Sequence, residues 1–399
     1  MSAVKGTVDY DADDWAKLKF IMDVIRSNAT TLDVEEIDTP VIESTKLLLG
    51  KYGEEAETKQ IFKLDGDKNS LRYDLTVPFT RYITGRGIDN IRRFQIGKVF
   101  RKDRPAIANG RFREFYQADV DLVGEYEPLA SEGELFYLIN KVLTDLGISE
   151  YVIRYNYRDN LYSICEKAGI TDSADQKCVC TTLDKLDKMS WDEVITELVE
   201  LRGLTEEQVT ILQSCVLENS IDNSLVEYDS KLNELCENLT FDASLARGLD
   251  YYTGIIYEVT VPNTPVKTII AGGRYDELIY KSSKKKRRYI PAIGVSFGIS
   301  RIKLLVDLPI QDASKVFVIS KDIRIRLKLL EYYRRLGLRA SYDRTNRKTL
   351  KQITFAVRNN YSLVVIYGED DNFVRVKELL NSDPDKLCEL DSFDYNFAR

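Results

Sequence analysis

The chain has 399 residues, 44% hydrophobic and 30% charged, the profile of a folded globular protein with room for two or three domains. No apolar run approaches the roughly 18–20 residues that span a bilayer. The acidic start, M-S-A-V-K-G-T-V-D-Y-D-A-D-D-W, has no apolar stretch, so neither a signal nor a basic transit peptide is expected and the protein is expected in the cytosol.

The composition holds no histidine. That excludes Ser-His-Asp and Cys-His nucleophile pairs, H-E-x-x-H zinc sites and any imidazole base. Chemistry must run on Arg, carboxylates, Tyr, Lys, bound metal or the substrate's own groups. The six cysteines (Cys165, Cys178, Cys180, Cys215, Cys236, Cys388) match no zinc-site or redox spacing and read as reduced, mostly buried thiols. The net charge of −7 is unevenly spread. Residues 171–240 carry sixteen Asp/Glu against five Lys/Arg, a balance of −11, whereas 311–360 carry thirteen Lys/Arg against four Asp/Glu, a balance of +9. An acidic block therefore hides a basic module, and a nucleic-acid partner is not excluded.

In chain order, residues 11–30 predict an amphipathic helix with Trp15, Leu18, Ile21, Met22 and Ile25 on its buried stripe. Pro40, in E-E-I-D-T-P-V-I-E, confines any strand there to an edge or interface. L-R-Y-D-L-T-V-P-F-T-R-Y (71–82) reads as a strand presenting Arg72, Asp74 and Thr76 on one side, with Thr76 capping a following helix. Phe94–Gly124 reads as two strands joined by a basic, Pro/Gly-punctuated loop bracketed by Arg101, Arg104, Arg111 and Arg113. Alternation on the second strand sets Arg113, Phe115, Gln117, Asp119 and Asp121 on one face, and Tyr116, Ala118, Val120 and Leu122 on a core-facing one.

A helix near 128–146 and a strand near 151–157 precede an acidic helical stretch. Capping boxes are expected at Ser190…Glu193 and Thr205…Gln208, and a buried stripe at Trp191, Val194, Leu198 and Leu201. Strands return at 246–260 and 268–278, the run K-S-S-K-K-K-R-R (281–288) reads as a loop, and 290–305 reads strand, Gly turn, helix with Arg301 one turn in. From about 311, strands and helices alternate as in a small, mostly parallel α/β unit. There is no Walker A loop and no G-x-G-x-x-G after a strand.

Five arginines at strand ends and loops, Arg101, Arg111, Arg113, Arg247 and Arg301, thus accompany Asp74, Gln117, Asp121, Tyr251 and Tyr252. Guanidinium forks match phosphate oxygens, so the set points to one polyanion-handling site, although each Arg alone is as well explained by a surface ion pair.

These segments resemble class II aminoacyl-tRNA synthetases. F-R-K-D-R-P…G-R-F-R-E-F-Y-Q is similar to motif 2, I-D-T-P-V-I-E to motif 1 and G-V-S-F-G-I-S-R to motif 3. R-G-L-D-Y-Y-T-G (247–254) and A-G-G-R-Y-D (271–276) resemble the signatures of the histidyl-tRNA synthetase family in its eukaryotic/archaeal style, and L-G-K-Y-G-E (49–54) fits that style. The resemblance implies an α+β catalytic domain, an antiparallel sheet of six or seven strands flanked by helices, over 1–157 and 241–310. It also implies an inserted helical domain at 158–240 and a C-terminal α/β anticodon-binding domain at 311–399.

It further implies a ligase that activates histidine with ATP, helped by Mg²⁺, and charges histidine tRNA as a C2 homodimer packed through motif 1. Arg101 would hold the α-phosphate and the amino-acid carboxylate, Asp103 would be the motif 2 acid, and Arg111 and Arg113 would place the pyrophosphate end. Arg301 would meet the γ-phosphate and adenine, and Arg247 would be a distinctive cation beside the α-phosphate. Asp74, Thr76 and Gln117 would take the α-amino group, while Asp121 and Tyr252, beside Tyr251, would read the imidazole. No protein residue is expected to bind metal. The loop 102–111 would meet the tRNA acceptor end, and basic helices near 322–359 its anticodon stem.

The chain departs from the family pattern at Val8, where Arg is usual, and at Ser300, where Glu is usual before the motif 3 Arg. The helical RNA-binding extension of many animal members is not expected. Alternatives are a non-catalytic regulatory or sensor relative, or another class II synthetase sharing the C-terminal domain. The lack of histidine has two readings: an enzyme that can be made when its own product is scarce, or drift of composition. Equal loss of this protein and of histidine-containing proteins in histidine-starved cells would exclude the first.

Overall fold

The computed structural model describes residues 3–49, 60–64, 66–246, 251–282, 289–306, 315–345, 347–367, 374–379 and 388–389. The chain divides into two units, Met1–Asp307 and Leu308–Arg399.

The first unit is built on a sheet of eight strands among the described residues. In chain order its main strands are β1 (Glu35–Glu36), β2 (Ile91–Phe100), β3 (Glu114–Val123), β4 (Val152–Tyr157), β5 (Leu239–Phe241), β6 (Ile255–Thr260), β7 (Ile270–Arg274) and β8 (Ala292–Phe297). Their spatial order is β1-β2-β3-β8-β7-β6-β4-β5. The six central strands pair antiparallel, as expected. The short outer strands β1 and β5 add parallel pairs, which takes the sheet beyond the expected six or seven strands. β1 lies at the sheet's edge and ends ahead of Pro40, while Ile42–Ser44 joins a separate three-stranded sheet.

The helix Ala12–Thr30 begins at Asp11, whose carboxylate accepts the N–H groups of Asp13 and Asp14. Leu18, Ile21, Met22 and Ile25 are buried, but Trp15 is 45% exposed, with its ring tilted at 56° to that of Tyr116 and 6.1 Å away, so the stripe begins one turn later than its periodicity predicts.

The helices between Arg158 and Leu235 close over their own apolar cluster, in which Leu161, Val179, Val194, Leu198 and Leu212 touch Ala243, Leu245 and Ile256 on the sheet side. Both expected capping boxes form. Leu201 does not join the buried stripe and is 75% exposed. Residues Glu197–Leu201 form a π-turn, whose extra residue rotates Leu201 away from the core. Cys165 and Cys180 are buried and Cys178, Cys215 and Cys236 half-buried, all of them free thiols.

In the second unit the strands Lys315–Ile319, Arg339–Tyr342 and Leu363–Tyr367 are parallel, and Val374–Glu378 and Cys388–Glu389 extend them antiparallel. Alternate residues of the central strand feed two cores. Val316 and Val318 pack under helix Ile323–Arg335 with Leu330 and Tyr333, and Phe317 and Ile319 pack with Ala356 of helix Thr349–Arg358.

Candidate active site

A cavity of about 590 Å³ opens over the middle of the first unit's sheet. Its floor is the odd-numbered face of β3: Phe115, Gln117, Asp119 and Asp121 line it, while Ala118, Val120 and Leu122 are buried beneath. Period-2 alternation therefore delivers the polar face to the cavity as the sequence predicts.

One wall is cationic. Arg101 follows β2; its Nε donates to the Tyr73 carbonyl at 3.2 Å and its guanidinium lies 4.2 Å over the Tyr73 ring and 5.3 Å from that of Phe115. Burial works against its charge, but Tyr73, Asp74 and Asp103 outweigh burial and raise its pKa, so the cation persists. Arg111 donates from Nε to Asp103 Oδ2 at 3.1 Å, which turns the loop acid into a support for the loop cation. Arg301, on helix Ile299–Ile302, donates to the Thr268 carbonyl at 2.5 Å. Gly110 sits against it at φ +69°, where a Cβ would come within 2.8 Å of Arg301 Cγ. Ser300 is buried and accepts the Tyr116 N–H at 3.2 Å, leaving Arg301 to be held by the Thr268 backbone.

Arg113 is the exception. It is not part of the cavity lining: its backbone N–H donates to the Gly6 carbonyl at 2.7 Å, and its side chain donates to the carbonyls of Asp103 (3.2 Å) and Lys5 (3.3 Å). Two of the guanidinium's five N–H groups are thus given to backbone carbonyls, and a pyrophosphate contact would use the remaining ones. This clamp on K-G-T uses backbone acceptors, so Val8 is not part of it.

The cavity is also rich in acceptors. Asp74 Oδ1 accepts the Val77 N–H at 3.0 Å at the start of helix Thr76–Arg86. Thr76 is the first helical residue rather than the cap; Leu75 holds the N-cap position, Asp74 just before it accepts a first-turn N–H, and the strand before is only Asn69–Leu71. Thr76 Oγ1 is thereby freed to face Asp119 Oδ2, 3.5 Å away. Gln117 Nε2 donates to Ser296 Oγ at 2.9 Å, leaving Gln117 Oε1 buried with no hydrogen bond among the described residues.

Asp121 is committed at both oxygens: Oδ1 accepts the Tyr275 hydroxyl at 2.5 Å, and Oδ2 pairs with Arg93 at 2.6 Å. Burial pushes the Asp121 carboxyl up, against the pull of Arg93 and Tyr275. Gly294 faces it across the β3–β8 pair, and a Cβ there would collide with Asp121 Oδ1. Tyr252 and Tyr251 complete the site, with their rings 4.9 Å apart and Tyr251 edge-on to Tyr275 at 6.1 Å.

The cavity thus collects Asp74, Thr76, Arg101, Asp103, Arg111, Gln117, Asp121, Tyr251, Tyr252 and Arg301 from segments that are distant in sequence. Arg247 lies outside the described residues, as do 50–54 of L-G-K-Y-G-E and 283–288 of the basic run. Sequence reasoning missed Arg93, Asp119 and Tyr275. Asp119 lay in plain view on the same strand face as Gln117 and Asp121, and Tyr275 within A-G-G-R-Y-D; Arg93 needed the hairpin register, in which it stands directly opposite Asp121.

Among the described residues no group of three or more Asp, Glu or Cys could hold a metal ion. Of the cavity's carboxylates, Asp103 is engaged by Arg111, Asp121 by Arg93, and Glu258 by Arg154 and Thr268. The described residues thus form no ready-made cage for Mg²⁺, and no helix of the described residues is long and apolar enough to cross a membrane.

A family model described as histidyl-tRNA synthetase matches residues 6–302. The cytoplasmic histidine–tRNA ligase of Dictyostelium discoideum is 34% identical, with 92% of this chain and 84% of the relative covered. The mitochondrial histidine–tRNA ligase of Saccharomyces cerevisiae is likewise 34% identical, covering 94% and 82%. The crystal structure of histidyl-tRNA synthetase from Nostoc sp. superposes with a TM-score of 0.75 at 24% identity, over 98% of this chain and 96% of that one, which establishes the class II fold: an antiparallel sheet with an inserted helical module and a C-terminal α/β unit. With a family model spanning most of its length and relatives at this identity over nearly all of it, the chain belongs to the histidyl-tRNA synthetase family.

Proposed function

We propose that this chain is a histidine–tRNA ligase, which converts histidine and ATP to histidyl-adenylate and pyrophosphate and then moves the histidyl group to the 3′-terminal adenosine of histidine tRNA. The observation that carries the reading is the cavity's polarity. The cations Arg101, Arg111 and Arg301 line the same cavity as the acceptors Gln117, Asp119 and Asp121, which matches a triphosphate bound beside a protonated amino acid.

In the first step the histidine carboxylate attacks the α-phosphorus, and the bond to the β-phosphate oxygen breaks to release pyrophosphate. Charge builds on the phosphoryl oxygens, so fixed cations stabilise the transition state without reorganising. Arg101, braced by Tyr73, is the group to place there, with Arg111 and Arg301 along the leaving phosphates. Arg247 joins them on the strength of the family signature alone. A carboxylate nucleophile needs no general base, so a chain without histidine loses nothing. In the second step the adenosine hydroxyl attacks the adenylate carbonyl, and the departing phosphate can take the proton. Mg²⁺ would enter on the triphosphate, neutralising its oxygens, rather than through a protein cage.

The imidazole would be read by Tyr252 and by Asp121, whose carboxylate Arg93 and Tyr275 hold in place. Residues 1–157 and 241–310 would form the catalytic core and 158–240 the insertion, while 311–399, with its basic helices, would bind the anticodon stem with an affinity that falls as salt rises. A homodimer packed through motif 1 is supported by the exposed apolar side chains of Val41 and Ile42. We place the protein in the cytosol, by analogy with the cytoplasmic relative; the mitochondrial relative makes fractionation the test of that placement.

The decisive experiment is ATP–pyrophosphate exchange with a panel of amino acids. Exchange with histidine alone is expected. No exchange with any amino acid would favour a non-catalytic regulatory relative, and exchange with another would overturn the specificity. Arg247→Ala is expected to abolish exchange while the thermal melt is kept; retained exchange would remove Arg247 from the mechanism. Sedimentation at micromolar concentration should give a dimer, and a monomer would refute the motif 1 interface.

A further inference from the structure

Two cations of the cavity, Arg111 and Arg301, stand on separate elements, the loop 102–111 and the short helix Ile299–Ile302. The loop approaches that helix at Gly110, where it has no side chain to interlock with its neighbour. A third segment, Lys5–Asp14, is attached to both elements.

At one end of this segment, Gly6 is buried against the foot of the loop. Its carbonyl accepts the Arg113 N–H at 2.7 Å, and the Lys5 carbonyl accepts from Arg113 Nη1 at 3.3 Å. Arg113 in turn donates from Nε to the Asp103 carbonyl at 3.2 Å, so one side chain joins the segment to both limbs of the loop. Gly6 adopts φ +90°, and a Cβ there would come within 2.8 Å of Arg113 Cγ and 3.1 Å of Pro105 Cβ. The backbone angle and the close approach both call for glycine. Thr7 closes the turn around it, since its N–H and its hydroxyl both donate to the Val4 carbonyl.

At the other end, Asp14 in the first turn of the helix Ala12–Thr30 pairs with Lys303, two residues beyond Arg301. The Lys303 ammonium also lies 5.1 Å over the Tyr10 ring. Its side chain is 14% exposed, so solvent and salt screen this anchor less than a surface pair. Neither Gly6 nor Lys303 lines the cavity, and each reaches it only through the element that carries an arginine.

We propose that Lys5–Asp14 is a positioning strap, which fixes the loop 102–111 against the helix Ile299–Ile302 and so sets the spacing of Arg111 and Arg301 for a triphosphate. Gly6 and Lys303 are its positioning residues. The proposal rests on the reading of the cavity as an ATP site and adds to it the segment that holds the two cations in register. Cations held at a set spacing before the ligand arrives need no ordering when it binds.

The test titrates ATP and histidine separately by calorimetry into the parent, Gly6→Ala, Lys303→Met and the double variant. Thermal melts and hydrogen exchange of residues 103–111 accompany it. Each single variant is expected to weaken ATP binding about 10-fold, the order of one charge-assisted hydrogen bond, while histidine affinity stays within about twofold. A strap is slack once either end is released, so the double variant should bind ATP no more than about twofold worse than the weaker single one. Exchange at 103–111 should be faster in both single variants, with the melt unchanged. ATP affinity equal to the parent's in either single variant would overturn the proposal, as would losses that multiply in the double variant. Parallel loss of histidine binding and melting temperature would overturn it too, reducing the segment to a support for the fold. If the parent binds no ATP, the reading of the cavity fails alone and exchange at 103–111 decides: faster exchange in both variants retains the strap, and unchanged exchange removes it.

Discussion

The floor of the cavity and the helical segment behind it, Arg158–Leu235, solve burial in opposite ways. The helical segment buries mainly apolar side chains, gives the polar ones it encloses, such as Asn160 and Gln176, hydrogen bonds of their own, and closes helix ends with its own hydroxyls, as at Ser190 and Thr205. The floor buries Arg93, Asp119 and Asp121 in the middle of a sheet and leaves Gln117 Oε1 and Asp119 Oδ1 without a hydrogen bond among the described residues. The first arrangement is complete without a ligand. The second is complete only with one, and the stability it gives up is the measure of its preparation for substrate.

The largest expected effect lies on the floor. Arg93→Met leaves two carboxylates buried with no cation, and about 3–5 kcal/mol of stability should be lost in urea unfolding. Adding Asp121→Asn should recover part of that loss, because it removes the charge nearest the vacated position. If the single variant costs no more than a surface substitution, the floor is not held by this cation and the contrast collapses. In the helical segment, Leu198→Ala should cost about 2–5 kcal/mol through cavity formation while the KM for histidine remains that of the parent. A large change in KM would show that the segment is not an independent support.

A subtler effect has a direction set by pH. Burial pushes the Asp119 carboxyl up to about 7; Asp121 and Asp74 add to this, and Arg93 and Ser296 oppose it. The folded protein thus holds this proton more tightly than the unfolded chain does, where the value is near 3.8. The contribution to stability is full below the unfolded value and is lost as pH rises through the folded one. The ligand-free parent should therefore gain on Asp119→Asn in melting temperature between pH 8 and pH 5. A difference that stays flat across that range would show that Asp119 carries no excess burial penalty.

Smallest are two changes in the helical segment. Ser190→Ala should cost about 1 kcal/mol by removing an N-cap. Leu201→Ala should stay within about 0.5 kcal/mol, since a solvent-facing side chain has little burial to lose. A larger loss at Leu201 would return it to the core stripe.

Leu201 also marks where sequence reading stops. Its spacing after Val194 and Leu198 is that of a buried stripe, and only the π-turn, a feature of backbone hydrogen bonding with no residue signature here, takes it out. Trp15 erred for a related reason: periodicity locates a face but not the depth at which its last member meets the neighbouring strand. Where a local rule governs, sequence and structure agree, as in the two capping boxes, the alternating faces of Glu114–Val123 and the parallel strands after Lys315.

The candidate site was legible as a set of residue types but not as a network of partners. Asp121 could be expected in the cavity, yet its engagement with Arg93 and Tyr275 depends on register and on a strand far along the chain. Arg113 stands one step along the same face as the site residues, and its guanidinium donates to the backbone carbonyls of Lys5 and Asp103, partners that alternation does not reveal.

The pairing of Arg93 with Asp121 across a single hairpin has a consequence for the order of folding. Tyr275, the other partner of Asp121, lies 154 residues further along the chain, and β8 follows it. During synthesis the hairpin is complete before either has been made, and contacts close in sequence form first. Asp121 therefore has its cation in place while the second half of the sheet is awaited. The charge that Asp119 later turns toward the cavity is already seated on its scaffold when β8 and Gly294 dock against it.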